Sequence, residues 1–125
     1  MELTLDVIHP PRREDEPARC RTFRAAGGII GRASHCDWVL DDPSRILSGQ
    51  HAEIRFDQQR YQLVDLSSNG ITRKHDSQKL PHGTPVDIEH GHIYRMGELE
   101  VRARLQAVPV APQGLIPDAA FLELG

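Results

Sequence analysis

The chain has 125 residues, 38% of them hydrophobic and 26% charged. That is the composition of one globular domain with its own core, and it excludes a disordered chain. Fifteen Lys and Arg stand against 18 Asp and Glu, a net charge of −3, which excludes nucleic-acid binding by bulk positive charge.

The hydrophobic signal has period two and comes in short bursts. Leu3, Leu5 and Val7 alternate with other residues, as a strand with one buried face requires. Short candidates follow at 20–24, 28–31 and 37–40. Ala52, Ile54 and Phe56, then Tyr61, Leu63 and Asp65, make two further alternating runs. After candidates at 71–74, 86–89 and 93–96 comes the run Leu99, Val101, Ala103 and Leu105, set opposite Glu98, Glu100, Arg102 and Arg104. His-Pro-Pro, Asp-Asp-Pro-Ser, Asp-Gln-Gln, Ser-Asn-Gly, Pro-His-Gly and His-Gly separate them as turn signals. About ten short strands with no helical stretch predict an all-β sandwich, with function in the loops at one end. The predicted domain spans residues 1–106. From Ala107 three prolines (Pro109, Pro112, Pro117) precede Phe121, Leu122 and Leu124, so 107–125 reads as a linker or tail leading to further regions of a longer protein.

No apolar run approaches the roughly 20 residues that span a bilayer. The opening MELTLDVIHPPRRED has neither the basic start nor the long apolar stretch of a secretory signal. Cys20 and Cys36 lack CxxC spacing and read as reduced, buried thiols. The expected compartment is the cytoplasm.

Charge is uneven along the chain. Residues 44–82 hold six bases (Arg45, Arg55, Arg60, Arg73, Lys74, Lys79) and four acids, whereas 83–125 hold three bases and six acids. Three polar clusters sit beside predicted strand ends: Gly31-Arg32, Ser48-Gly49-Gln50-His51, and Ser67-Ser68-Asn69-Gly70. The planar fork of Arg32 suits a phosphate or carboxylate, and serine hydroxyls with turn N–H groups can supply further donors. Asn69, the only asparagine, precedes a glycine where a positive φ is tolerated.

Gly31-Arg32, Asp37-Trp-Val-Leu40, Ser48-x-x-His51-Ala-Glu-Ile, Tyr61-x-Leu-x-Asp65-x-Ser-Ser-Asn69-Gly70 and Tyr94-x-Met-Gly97 come in an order and spacing that resembles a forkhead-associated (FHA) domain over roughly residues 3–105. More narrowly, Cys36-Asp-Trp-Val-Leu-Asp-Asp-Pro43 and Ile116-Pro-Asp-Ala-Ala-Phe-Leu122 are similar to bacterial FHA proteins associated with type VI secretion. The resemblance implies a sandwich of about eleven short antiparallel strands that binds phosphothreonine peptides through loops at one end. It implies phosphate contacts from Arg32 and Ser48, a further donor from Ser68, and peptide-backbone contact from Asn69. His51 would brace the Ser48 loop, Gly31 would allow a tight strand end, and Gly70 would shape the last loop.

Two positions depart from the family pattern. Gly49 stands where a basic residue is common, and Ile71-Thr72-Arg73-Lys74-His75 replaces the family's Thr-Phe-Val-Asn-Gly, removing a second asparagine. Arg45, Arg73 and Lys74 are the candidates to compensate. The resemblance further implies a partner carrying phosphothreonine: a Ser/Thr kinase, its substrate, or this protein's own phosphorylated region. Thr4, Thr22, Thr72 and Thr84 make no convincing phosphosite, so a self-ligand would lie beyond residue 125, and binding in trans would make self-association depend on phosphorylation. No nucleic acid, membrane insertion, cofactor or metal is expected.

Other chemistries are weaker on the residues alone. Ser48, His51 and Asp65 can be written as a hydrolytic triad, but without a nucleophile elbow. His90 and His92 are spaced as a zinc pair with no completing ligand. Gly28-Ile-Ile-Gly31 matches the KH loop without its flanking helices, and no Gly-Lys-Ser/Thr accompanies it as a P-loop requires. The protein is expected not to be an enzyme. The main alternative is a docking domain of the secretion machinery whose contacts ignore phosphate.

Overall fold

A computed structural model describes residues 1–12, 14–15, 19–41 and 46–107. Arg45 and nearly all of the tail lie outside the described residues. Each alternating run forms a strand, because extended backbone sends successive side chains to opposite faces. The strands are β1 (Glu2–His9), β2 (Cys20–Phe23), β3 (Gly28–Gly31), β4 (Trp38–Val39), β5 (Ala52–Asp57) and β6 (Arg60–Asp65). They continue as β7 (Ile71–Arg73), β8 (Gln78–Lys79), β9 (Val86–Asp87), β10 (Ile93–Met96) and β11 (Leu99–Gln106).

They form a six-stranded sheet, β2-β1-β11-β10-β7-β8, and a five-stranded sheet, β4-β3-β5-β6-β9. The fold is therefore an all-β sandwich. Leu3, Leu5, Val101 and Ala103 of the first sheet and Ile30, Ala52, Ile54 and Leu63 of the second are almost fully buried in the shared core. Trp38 belongs to that core, edge-on to Phe23 at 6.4 Å. Among the described residues no helix is long and apolar enough to cross a membrane.

The structure differs from the sequence expectations in three places. One pair, β3 and β4, runs parallel, with Ile30 beside Trp38. The strands are so short that the 32–37 loop need carry the chain back only a residue or two. Strand β8 was not expected, because Gln78 and Lys79 are exposed and carry no apolar alternation. Cys20 is exposed on edge strand β2, whereas Cys36 is buried.

Strand register gathers the polar clusters. Ala52 pairs with Ile30 on one side and Asp65 on the other. The exit of β3, the entry to β5 and the exit of β6 therefore lie side by side. The His51 N–H donates to the Ile30 carbonyl at 2.8 Å, and the Leu66 N–H to the His51 carbonyl at 3.0 Å, so the ladder continues into the loops.

Candidate functional site

Strand β3 ends at Gly31, and the β3–β4 loop follows it. A Cβ at Gly31 would lie 2.1 Å from the Gly49 carbonyl oxygen and 2.8 Å from its carbon. Glycine serves here for close approach of two backbones, since no left-handed φ is involved. The contact seats the 48–50 loop against the 32–36 loop. The Arg32 N–H donates to the Ser48 carbonyl (3.1 Å) and the Ala33 N–H to the Gly49 carbonyl (3.1 Å). The Cys36 thiol donates to the same Gly49 oxygen at 3.1 Å. Burial pushes the pKa of that thiol up, which keeps its proton in place as a donor.

Arg32 is held by its stem and presents its fork. Its Nε donates to the Leu47 carbonyl at 3.0 Å, while its terminal amino groups make no hydrogen bond or ion pair among the described residues. The residue is exposed. A bond at Nε fixes the plane of the guanidinium and leaves two parallel N–H groups for a bidentate anion.

His51 is fully buried, and its Nδ1 accepts the Ser48 backbone N–H at 3.0 Å. An accepting Nδ1 places the proton of the neutral ring on Nε2. The Ser48 Oγ accepts the Ser68 N–H at 3.0 Å. The Asp65 Oδ1 accepts both the backbone N–H and the hydroxyl of Ser67, the former at 2.9 Å. The three residues of the supposed triad are thus spent on backbone brackets and do not form a serine–histidine–aspartate relay.

The third loop is braced in the same way. The Gly70 N–H donates to the Ser67 Oγ at 2.7 Å, at a φ of +94° that favours glycine. The Asn69 Nδ2 donates to the Ile46 carbonyl at 2.9 Å and clamps this loop to the one bearing Ser48. Asn69 and Ser68 are exposed. The Ser48 hydroxyl, the Ser68 hydroxyl and the Arg32 fork therefore sit on loops bonded to one another, with donors left over. Asp65 is 2% exposed and turned inward onto Ser67, so its charge is withdrawn from that surface.

The auxiliary bases fall differently. Arg73 grips Asp76 through Nε (3.1 Å) and Nη2 (2.8 Å), and that grip holds the Asp76 carboxyl at about 2. Lys74 pairs with Glu100 at 2.9 Å. Lys79, by contrast, makes no ion pair among the described residues. Its Cε lies 2.2 Å from where a Gly70 Cβ would stand. Sequence reasoning missed this neighbour because the approach arises from the β7–β8 pairing of Thr72 with Lys79, which no local motif marks.

His90 and His92 do not act as a pair. The His90 Nδ1 accepts the Leu105 N–H at 3.0 Å, whereas His92 stacks on His75 with ring centres 4.4 Å apart. Among the described residues no group of three or more His, Cys, Asp or Glu could hold a metal ion.

An FHA domain family model matches residues 28–97, more than half of the chain. The chain is similar to a domain solved in a structural and functional analysis of phosphothreonine-dependent FHA domain interactions. Identity is 28%, coverage 86% of this chain and 100% of that one, and the TM-score 0.67. It is similar to the FHA domain of FhaA, solved in complex with the intracellular domain of a second protein (29% identity, 82% of this chain and 99% of that one, TM-score 0.64). It is also similar to 25% of the length of Mycobacterium tuberculosis EmbR, solved with a low-affinity phosphopeptide. There identity is 26%, coverage of this chain 86% and the TM-score 0.68. No curated protein matches the chain.

Proposed function

The chain belongs to the FHA domain family, and from that premise we propose that it is a phosphothreonine-peptide-binding module that mediates a regulated protein–protein interaction. Arg32 and Ser48 contact the phosphate, Ser68 adds a hydroxyl, and Asn69 holds the peptide backbone. The observation that carries this reading is the Arg32 fork, whose terminal amino groups have no partner among the described residues, on a loop bonded to the one bearing Ser48. The phosphothreonine-dependent interactions of a relative 28% identical support it.

The magnitudes suffice. A phosphothreonine brings about −1.5 to −2 charges near neutral pH. Hydrogen bonds to charged groups contribute about 1.5–3 kcal/mol each, so three or four support micromolar binding, about −8 kcal/mol. The loops are already bonded to one another, which reduces the ordering cost on binding.

The finer reading places this non-enzymatic domain in the bacterial cytoplasm, controlling type VI secretion assembly downstream of a Ser/Thr kinase. Its ligand is the kinase, a kinase substrate or a phosphorylated copy of the same protein. The similarity of 36–43 and 116–122 to secretion-associated FHA proteins supports it. The domain occupies residues 1–106, ending where β11 ends.

The test is a titration with an oriented phosphothreonine peptide library, with phosphoserine and unphosphorylated controls and Arg32→Ala. Binding to phosphothreonine alone, weakened at least tenfold by Arg32→Ala, is expected. Equal binding to phosphorylated and unphosphorylated peptides would replace this reading with phosphate-independent docking.

A further inference from the structure

Beside the Ser48–Ser68 contact lies a surface cavity of about 440 Å³. Asp65, Ser67, Ser68, Gly70, Lys79, Leu80 and His82 line it. Ser68 belongs both to this cavity and to the site above, through its N–H bond to the Ser48 Oγ. Buried Leu80 contributes an apolar surface, while Lys79 and His82 are exposed.

The geometry points to a second anionic subsite: we infer that this cavity takes an acidic side chain of the bound peptide, with Lys79 as the residue that reads it. The inference rests on the phosphothreonine-binding reading and extends it to the specificity of the same site. Three observations support it. First, Lys79 has no carboxylate partner among the described residues, whereas Arg60, Arg73 and Lys74 are each ion-paired. Second, its position is built. The Cε fills the space that a Gly70 Cβ would need, so Gly70 serves both the positive φ of the loop and the passage of the lysine stem. Third, Asp65, the one carboxylate among the described residues that line the cavity, is buried and has one oxygen occupied within the fold. Asp65 is 2% exposed and accepts two hydrogen bonds from Ser67, and His82 stands 3.9 Å from its other oxygen. An incoming anion therefore meets Lys79 and the His82 ring before it meets Asp65.

An extended peptide rises about 3.3 Å per residue and turns alternate side chains to the same face. A peptide anchored over Ser48 and Ser68 delivers a neighbouring side chain to this cavity. A Glu or Asp carboxylate and a second phosphate share the necessary chemistry. Because Lys79 is exposed, the attraction is moderate and screened by salt.

The test uses the whole chain and one phosphothreonine peptide with alanine at every flanking position. Each alanine is replaced in turn by glutamate or by phosphoserine, and binding is measured by fluorescence anisotropy at low and high salt. At one position glutamate is expected to tighten binding about two- to fivefold, with a larger gain from phosphoserine. Lys79→Ala is expected to bring the acidic-to-alanine affinity ratio back to about one. Arg21→Ala, on the opposite edge of the six-stranded sheet, removes the same charge and is expected to preserve that ratio. Phosphoserine carries about twice the charge of glutamate, so a gain above the square of the glutamate gain identifies a phosphate as the anion and a smaller one a carboxylate. Phosphate-dependent binding with no acidic preference, or a preference that survives Lys79→Ala, overturns this inference alone. Absence of phosphate-dependent binding overturns the parent reading and this one together.

Discussion

Replacing Gly31 with alanine puts the close approach behind the site under direct strain. The new methyl would lie 2.1 Å from the Gly49 oxygen, 2.8 Å from the Gly49 carbon and 3.0 Å from the Gln50 Cα. All three are backbone atoms, so no side chain can swing aside, and one loop must move by about an ångström. That motion stretches two bonds to the Gly49 oxygen, from the Ala33 N–H and the Cys36 thiol. Overpacking costs about 1–3 kcal/mol and a weakened neutral hydrogen bond about 1 kcal/mol, which together give about 3 kcal/mol. With a urea slope of about 2 kcal/mol/M, the unfolding midpoint should fall by about 1.5 M. Gly49→Ala is the matched control, because its Cβ meets only the Ala33 Cβ at 3.8 Å, an ordinary contact. It should change stability by less than about 0.5 kcal/mol. Urea melts of the two variants decide the matter. Equal midpoints would refute the claim that a backbone contact at Gly31 sets the loop spacing.

Three other outcomes follow from the same geometry. His51→Leu removes the acceptor of the Ser48 N–H and should cost about 1–3 kcal/mol, with faster exchange of the Ser48 amide. An undiminished melting temperature together with a protected Ser48 amide would refute the brace. Gln58 and Gln59 form the β5–β6 turn at φ of +50° and +66°, a conformation that glycine adopts without cost. Gln59→Gly should therefore stabilise by about 0.5–1 kcal/mol, and a lower melting temperature would contradict this. The third outcome concerns acid. The Arg73 guanidinium holds the Asp76 carboxyl at about 2, below its ordinary 3.8. A lowered folded pKa means that the contribution of the Arg73–Asp76 bond is full above about pH 4–5 and is lost as pH falls toward 2. The Gln78 amide, which donates to Asp76 at 3.2 Å, should report that loss by NMR. A titration midpoint near 4 would show that the grip is absent in solution.

Much of the fold was legible because it depends on alternation. Leu3, Leu5 and Val7, and Leu99, Val101 and Ala103, face the core as their spacing requires, and β1 and β11 pair along nearly their whole length. Gln78 and Lys79 were illegible as a strand because both side chains face water, so pairing with β7 alone makes them one. Exposed Cys20 was misjudged for a related reason. A cysteine on a strand carries no local sign of whether that strand lies at a sheet edge.

The candidate site divides along the same line. Sequence alone determined which residue types stand at the strand ends, Arg32, Ser48, Ser68 and Asn69 among them, because turn chemistry and strand period are local properties of the chain. Tertiary structure decided what those side chains have left to give. Arg73 and Lys74 have their charges paired within the fold, by Asp76 and Glu100. Arg32 keeps its fork because Leu47 takes only its Nε, and Lys79 arrives over Gly70 through the pairing of β8 with β7. Hydrogen-bond and ion-pair capacity is spent between residues distant in sequence, so only the assembled sandwich shows which donors remain.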